Sequence, residues 1–306
     1  MENVLITGGT GLIGSRLIEL LGQSGYRVSV VSRRKEAVPG AAVWQWDVAR
    51  QFIEAGAVEQ ADHIVHLAGA GVADERWTPA RKREIMDSRT QSARLLHDTL
   101  ARTGHRPKTF VSASAVGLYG ADRGDALLDE NSPPGTDFLA EVSKAWEQSA
   151  RQIESIGIRT VLLRIGIVLS EKGGALAKIA APVKLGAGAA LGSGRQWMSW
   201  IHVEDLCRMV LFALQNPALS GPYNAVGPHP ATNADLTRTL AHVLGRPLLL
   251  PNVPKLALKL AFGELAATVL GSLRVSNRRI AEAGFAYQYP ELEAALRELY
   301  GKAESK

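Results

Sequence analysis

Apolar and polar positions along the N-terminal half of the chain alternate between two periods. Short apolar runs rich in Val and Ile read as strands buried on both faces. Val4–Ile6, Arg27–Ser32, Ala42–Trp46 (ending at Asp47), Asp62–Leu67, Thr109–Ala113 and Arg159–Ile165 are of this kind. Between them the apolar positions recur at helical spacing. Ile13, Leu17 and Leu20-Leu21 mark a first helix that Gly25 stops. Longer helices are expected over residues 79–102 and 138–156. Strands alternating with helices predict a parallel sheet with right-handed crossovers, a doubly wound Rossmann-type α/β fold of about seven strands. Further on, residues 203–214 and 234–244 read as helices and 223–226 as a short strand. A mainly helical tail follows Pro251 and Pro254. The expected division is a nucleotide-binding domain over residues 1–170, to which 200–226 return, and a lid with a C-terminal substrate region over 171–306.

The junction between the first strand and the first helix carries the densest signal. Thr7-Gly8-Gly9-Thr10-Gly11-Leu12-Ile13-Gly14 places glycines in a G-x-x-G-x-x-G register directly after a strand and at a helix start. Gly8 permits a tight turn, Gly11 lets backbone N–H groups approach a pyrophosphate, and Gly14 lets the helix pack closely on the strand. The helix N-terminus adds a positive partial charge beside the ligand. The expected ligand is a dinucleotide.

Composition narrows the class. Of 306 residues, 46% are hydrophobic and 21% charged, values that support a folded core and argue against disorder. A net charge of +5 is too scattered to predict a nucleic-acid surface. The single cysteine, Cys207, excludes an internal disulfide, and no Cys/His spacing suggests a metal site. The apolar stretch from Leu256 to Leu273 is broken by Lys259 and Glu264, so no membrane span is expected. With a strand directly after the N-terminus and no signal peptide, the expected location is the cytoplasm. Lys172–Gly194 is rich in Gly and Ala and reads as a loop, or as a mobile cover over a site.

The end of the second strand selects the cofactor. An acid there would accept from the ribose 2′-hydroxyl of NAD. The chain instead has Val31-Ser32-Arg33-Arg34-Lys35. A 2′-phosphate suits the Ser32 hydroxyl and the bidentate Arg33 guanidinium, so NADP(H) is expected over NAD(H). The competing view is that Arg33 and Arg34 are surface charges on a turn.

Several stretches together resemble the extended short-chain dehydrogenase/reductase superfamily. They are the glycine turn, Asp62…His66-Leu67-Ala68-Gly69, Ser112-Ala113-Ser114…Leu118-Tyr119-Gly120, Ser143-Lys144 and Trp200-Ile201-His202-Val203-Glu204-Asp205-Leu206. Gly194-Arg195-Gln196-Trp197 and the tail Gly263-Glu264…Gly284-Phe285…Tyr289-Pro290 are similar to an atypical, sugar-epimerase-like subgroup with a short C-terminal domain. The resemblance implies NADP(H) across the C-terminal strand ends. Contacts would come from Gly8, Thr10, Gly11, Leu12, Ile13, Gly14, Ser32, Arg33, Leu67, Ala68 and Gly69, with Glu84 and Arg89 on the following helix. Asp47 either accepts from the adenine amine or caps its strand. The implied partner is a small-molecule substrate near Gln196, Trp197 and His202, and the chain is a monomer or a homodimer.

The resemblance also implies a catalytic Ser or Thr, a Tyr, and a Lys four residues after the Tyr. The i, i+4 spacing aligns Tyr and Lys, and the Lys lowers the phenol pKa for proton exchange with substrate. Here Lys144 is present, Ser114 occupies the serine place, and Ala140 stands where the tyrosine belongs. Tyr119, Glu141 or a water held by Ser114 and Lys144 are the candidate replacements. Two readings stand. One is an NADP(H)-dependent oxidoreductase or epimerase-like enzyme acting on a carbonyl or hydroxyl of a small polar metabolite, and the cofactor site favours it. The other is a non-catalytic NADP(H)-binding sensor, and Ala140 favours it.

Overall fold

The computed structural model describes residues 1–301. Its central sheet has eight strands. They are β1 (Asn3–Thr7), β2 (Arg27–Ser32), β3 (Ala42–Asp47), β4 (Phe52–Ile53), β5 (His63–His66), β6 (Thr109–Ala115), β7 (Thr160–Ile165) and β8 (Gly221–Ala225). The spatial order is β8-β7-β6-β5-β1-β2-β3-β4. β1 lies between β2 and β5, parallel to both, and the parallel pairing continues from β2 to β3 and from β5 to β6. The chain reverses between β5 and β2 around β1, the switch point at which open α/β sheets bind ligands beyond their C-terminal strand ends. The expected fold class is confirmed. β4 is the added strand, an antiparallel partner of β3 only two residues long and too short for any periodicity to reveal.

The helices obey local rules. α1 (Leu12–Gln23) buries Gly14, Leu17, Ile18 and Leu21 at helical spacing. α2 (Pro79–Thr103) starts with Thr78, whose hydroxyl accepts from the Arg81 N–H, and with Pro79 at the first position, where no N–H is needed. Gly104, at φ 73°, closes it in the left-handed conformation. α3 is Phe138–Arg151, α4 Gly174–Lys184, α5 Val203–Gln215 and α6 Asn233–Val243. The end of α5 and the loop after it are held by Arg159. Its guanidinium donates to the carbonyls of Ala213 (3.1 Å), Asn216 (3.2 Å) and Leu219 (2.9 Å).

By internal contacts the chain forms two compact units. The first comprises Met1–Leu118, Glu141–Arg164 and Cys207–Tyr223. The second comprises Tyr119–Ala140, Ile165–Leu206 and the chain from Asn224 onward. The core of the first packs sheet residues Leu5, Ile64, Phe110 and Leu162 against Leu95, Leu96 and Leu100 of α2. The core of the second gathers Leu176, Ala180 and Val183 of α4, Leu236 and Leu240 of α6, and Leu296 and Leu299 near the C-terminus.

α4 corrects the expectation of a loop across Lys172–Gly194. Leu176, Ala180 and Val183 fall on one helix face and are buried. That burial holds a helix in a Gly- and Ala-rich stretch whose composition suggests none. No helix among the described residues is long and apolar enough to cross a membrane.

Asp205 organises the tail of the second unit. It is fully buried, and its carboxylate accepts the backbone N–H groups of Gln288 (2.7 Å) and Tyr289 (2.9 Å). Asp205→Ala strands both donors. An expected loss of about 2–4 kcal/mol in urea unfolding follows from removing two hydrogen bonds to a charged group.

Candidate functional site

The glycine turn of the first unit is shaped by close approach of backbone to backbone. Gly8 has φ +72°, and a Cβ there would lie 3.0 Å from the Leu67 carbonyl carbon. A Cβ on Gly14 would lie 2.3 Å from the Gly8 oxygen, so α1 can pack against the turn only without a side chain. Gly9 was missed in the sequence: a Cβ there would meet Val30 of β2 at 2.6 Å. Thr10 and Gly11 are exposed, and Leu12 and Ile13 are partly so. Gly11 heads α1 without a side-chain cap, and the first turn of the helix carries no acid. An exposed helix start with bare N–H donors, adjoining a loop with no room for side chains, fits a diphosphate.

The facing segment, residues 67–71, is tied down on every side. Leu67 (3.2 Å) and Ala68 (3.1 Å) donate N–H groups to the Thr7 hydroxyl oxygen. Ala70 donates its N–H to Ser88 (3.0 Å) and accepts from Arg89 (2.9 Å), and the Gly71 carbonyl accepts from Arg81 (2.6 Å). Arg89 is buried, stacks on the Trp146 ring at 4.8 Å and fills the space beside Gly69. Burial, with Arg81 nearby, pushes its guanidinium down to about 10. Glu84 lies exposed on the same helix and accepts from Arg81 at 2.7 Å.

Beneath this segment lies a polar pair that the sequence reading left without a role. Thr7 and His66 are register partners at the ends of β1 and β5, and both are fully buried. The Thr7 hydroxyl, already accepting from two amides, donates to His66 Nδ1 (2.8 Å). His66 Nε2 therefore carries the imidazole proton and faces Ser92 Oγ at 3.3 Å, and Ser92 donates to the Ser88 carbonyl at 2.6 Å. The findable signal was a polar residue closing each of two apolar runs.

At the end of β2, Ser32 is half-buried and Arg33 exposed. The Ser32 hydroxyl accepts from the Arg34 N–H at 3.4 Å. Arg34 pairs with Glu36 (3.6 Å) and Lys35 with Glu54 (2.8 Å), whereas Arg33 has no carboxylate partner among the described residues. Asp47, at the end of β3, accepts from the Arg50 N–H at 3.1 Å, which is a turn cap.

Ser114 closes β6 in a buried network. Its hydroxyl donates to Glu147 Oε1 at 2.8 Å. Arg164 holds that carboxylate with two bonds, Nε to Oε1 at 2.8 Å and Nη2 to Oε2 at 3.0 Å. All three residues are buried. The only proton of Ser114 is thus committed to Glu147, and the serine offers lone pairs to anything else. Glu147 and Arg164 were not foreseen, although Ala140, Ser143 and Glu147 share the buried face of α3. Lys144 is exposed on α3, and Ala140, where the tyrosine was expected, is fully buried.

In the second unit Tyr119 is fully buried and donates to Asn224 Oδ1 at 2.7 Å. Asn224 in turn donates to the Ser276 carbonyl (3.0 Å). The buried Gln196 donates to the Leu191 carbonyl (3.0 Å). His202 Nδ1 accepts from the Glu204 N–H (3.2 Å), and Nε2 meets Glu298 at 2.9 Å. Burial pushes the His202 imidazole down, against the opposing pull of Glu298. Trp197 keeps part of its surface exposed and donates its indole N–H to Asp125 at 2.8 Å. No cluster of metal-ligating side chains occurs among the described residues.

Sheet order, switch point and glycine turn define a dinucleotide-binding α/β protein of the extended short-chain dehydrogenase/reductase type. More narrowly, the chain belongs to the NAD-dependent epimerase/dehydratase family, whose model it matches over residues 4–244, and residues 253–299 match a domain of unknown function, DUF1731. The epimerase family protein YfhF of Bacillus subtilis (strain 168) is 36% identical over 303 residues, 97% of each chain. The crystal structure of human epimerase family protein SDR39U1 (isoform 2) with NADPH superposes with a TM-score of 0.86 at 33% identity, covering 97% of this chain and 99% of that one. The UDP-glucose 4-epimerase of Thermus thermophilus, complexed with NAD, shares the fold with a TM-score of 0.74 at 21% identity, over 98% of this chain and 97% of its own.

The buried His66 makes stability depend on pH. Burial lowers its pKa from 6.5 to about 4. Below pH 6.5 the unfolded chain takes up a proton that the folded chain refuses until about pH 4. Stability from this group is therefore complete above pH 6.5 and falls as pH drops, by up to about 1.4 kcal/mol per pH unit. Urea unfolding of wild type and His66→Gln between pH 7 and 4 should show a shallower acid slope in the variant, and equal slopes would refute the assignment.

Proposed function

We propose that the protein binds NADP(H) and acts as an oxidoreductase or epimerase-like enzyme on a hydroxyl- or carbonyl-bearing carbon of a small polar metabolite. One observation carries the cofactor choice: Arg33, at the end of β2, is the cation of its cluster without a carboxylate partner among the described residues, and no acid takes the place that would accept from a 2′-hydroxyl. The NADPH of the human relative supports the same choice. The diphosphate is assigned to the N–H groups from Thr10 to Ile13, with Gly8 and Gly14 keeping the turn open. Ser32 and Arg33 are assigned to the 2′-phosphate, and Leu67, Ala68 and Gly69 to the adenosine side. In this reading Arg89 acts through the 67–71 segment that it holds, and Glu84 lies on the rim.

The nicotinamide, when bound, supplies hydride transfer, and the chain must supply orientation and proton handling. With its proton committed to Glu147, Ser114 serves as an acceptor and recognises a substrate hydroxyl in preference to a bare carbonyl. Lys144 is assigned to the cofactor ribose, and Gln196, Trp197 and His202 to the substrate side. The buried Tyr119 acts by holding Asn224 in place.

A second reading, a non-catalytic NADP(H) sensor, is favoured by an alanine at position 140 in place of the tyrosine and by the committed proton of Ser114. Turnover distinguishes the two. The enzyme reading expects NADPH formation or consumption with a member of a hydroxy- and oxo-metabolite panel, lowered about 10- to 100-fold by Ser114→Ala at unchanged NADPH affinity. Binding without turnover across the panel would favour the sensor.

Removing a charge-assisted phosphate contact costs about 1.5–3 kcal/mol. Arg33→Ala should therefore raise the Kd for NADPH at least tenfold and leave that for NADH unchanged, measured by fluorescence titration. Equal wild-type constants for the two cofactors would exclude the NADP(H) preference.

A further inference from the structure

We propose that Arg274, Trp197 and Leu127 form a shelf in the second unit that recognises a ligand carrying an oxyanion, phosphoryl or carboxylate, beside a flat or apolar ring. The inference rests on the reading of this protein as one that acts on a small metabolite, and it adds the charge of that metabolite.

The shelf is assembled by strand register. Residues 274–275 pair in parallel with 127–128, setting Arg274 opposite Leu127. The Arg274 guanidinium carbon lies 4.9 Å from the centre of the Trp197 ring. A guanidinium stacked on an aromatic face keeps its in-plane N–H donors directed outward, where two oxygens of a carboxylate or phosphate can meet them. Arg274 has no carboxylate partner among the described residues. The nearby Asp125 is engaged by the Trp197 indole N–H, and that bond fixes the ring edge. By contrast, Arg278, further along the same segment, pairs with Glu282 at 3.7 Å. Leu127 is 60% exposed, and it sets an apolar surface beside the charge.

The frame beneath is rigid. The Ser272 hydroxyl accepts from the Trp197 N–H (3.0 Å) and donates to the Gly124 carbonyl (2.8 Å), while Arg123 donates its N–H to the Ser272 carbonyl (2.8 Å). The buried Ser199 donates to the Leu273 carbonyl and accepts from the Val275 N–H, both at 2.9 Å. The backbones that carry the tryptophan and the arginine are thus held in place before any ligand arrives, which lowers the entropic cost of binding. A cation with no ion-pair partner among the described residues, stacked on an aromatic plate with an exposed apolar neighbour, suits an anionic ring compound and gives a neutral sugar much less to hold.

Isothermal titration of the full chain saturated with NADPH tests the shelf. The probes are uridine 5′-diphosphate, glucose 6-phosphate, glucuronate and uncharged glucose. At least one charged probe should bind and glucose should not, and the pattern among the charged probes separates phosphoryl from carboxylate recognition. Arg274→Gln and Trp197→Leu should each weaken that binding at least tenfold. Arg278→Gln should leave it intact, and Arg274→Lys should restore part of it. The NADPH Kd, measured in parallel, should not change in Arg274→Gln, so a failed shelf leaves the cofactor reading standing and a failed cofactor reading is seen separately. Thermal melts confirm folding. Wild-type affinity for the charged probe in folded Arg274→Gln, or no binding of any charged probe to the wild type, would overturn the proposal.

Discussion

The Thr7 hydroxyl is the group on which the geometry of the nucleotide-binding edge depends. Its oxygen collects the N–H groups of Leu67 and Ala68, and its proton goes to His66. One side chain thereby aligns the ends of two adjacent parallel strands and positions the segment facing the glycine turn. The arrangement requires a neutral imidazole with its proton on Nε2, and burial enforces that state. The missing Cβ atoms of Gly8 and Gly14 complete the same constraint, because the turn, α1 and the 67–68 backbone occupy space that no side chain could share.

The Ser114–Glu147–Arg164 network is the second constraint, and its logic is electrostatic. A buried carboxylate is costly unless it is paired and hydrogen-bonded, and Arg164 meets that need with two bonds while Ser114 adds a third. The consequence for chemistry is a serine with a fixed polarity. In a family whose members are expected to use a tyrosine phenol, this chain has a buried alanine, a proton-committed serine and a lysine in solvent.

Much of the architecture was legible from the chain. The β-α alternation, the strand limits near Val4–Ile6 and Arg27–Ser32, and the long helix from Pro79 follow from period and capping, which are local properties. β4 and α4 were not legible. β4 is two residues long, and α4 lies in a Gly- and Ala-rich stretch where only tertiary burial of Leu176, Ala180 and Val183 stabilises a helix. The same division holds at the site. The glycine register and the missing acid after β2 are contiguous motifs and can be read directly. Glu147 and Arg164 are 17 residues apart, and Arg274 and Trp197 meet only through strand pairing, so no spacing rule predicts either pair.

The sequence by itself determined that the chain builds a dinucleotide turn, that no carboxylate selects NAD, and that residue 140 is an alanine. These are facts of residue identity and short-range order. Only the tertiary structure decided what surrounds those residues. It decided that Arg33, unlike its neighbours, has no carboxylate partner among the described residues, that the Ser114 proton is already committed, and that Tyr119 is fully buried. Pairing, burial and proton ownership depend on which distant segments are brought within about 3 Å of one another, and that is a property of the folded core.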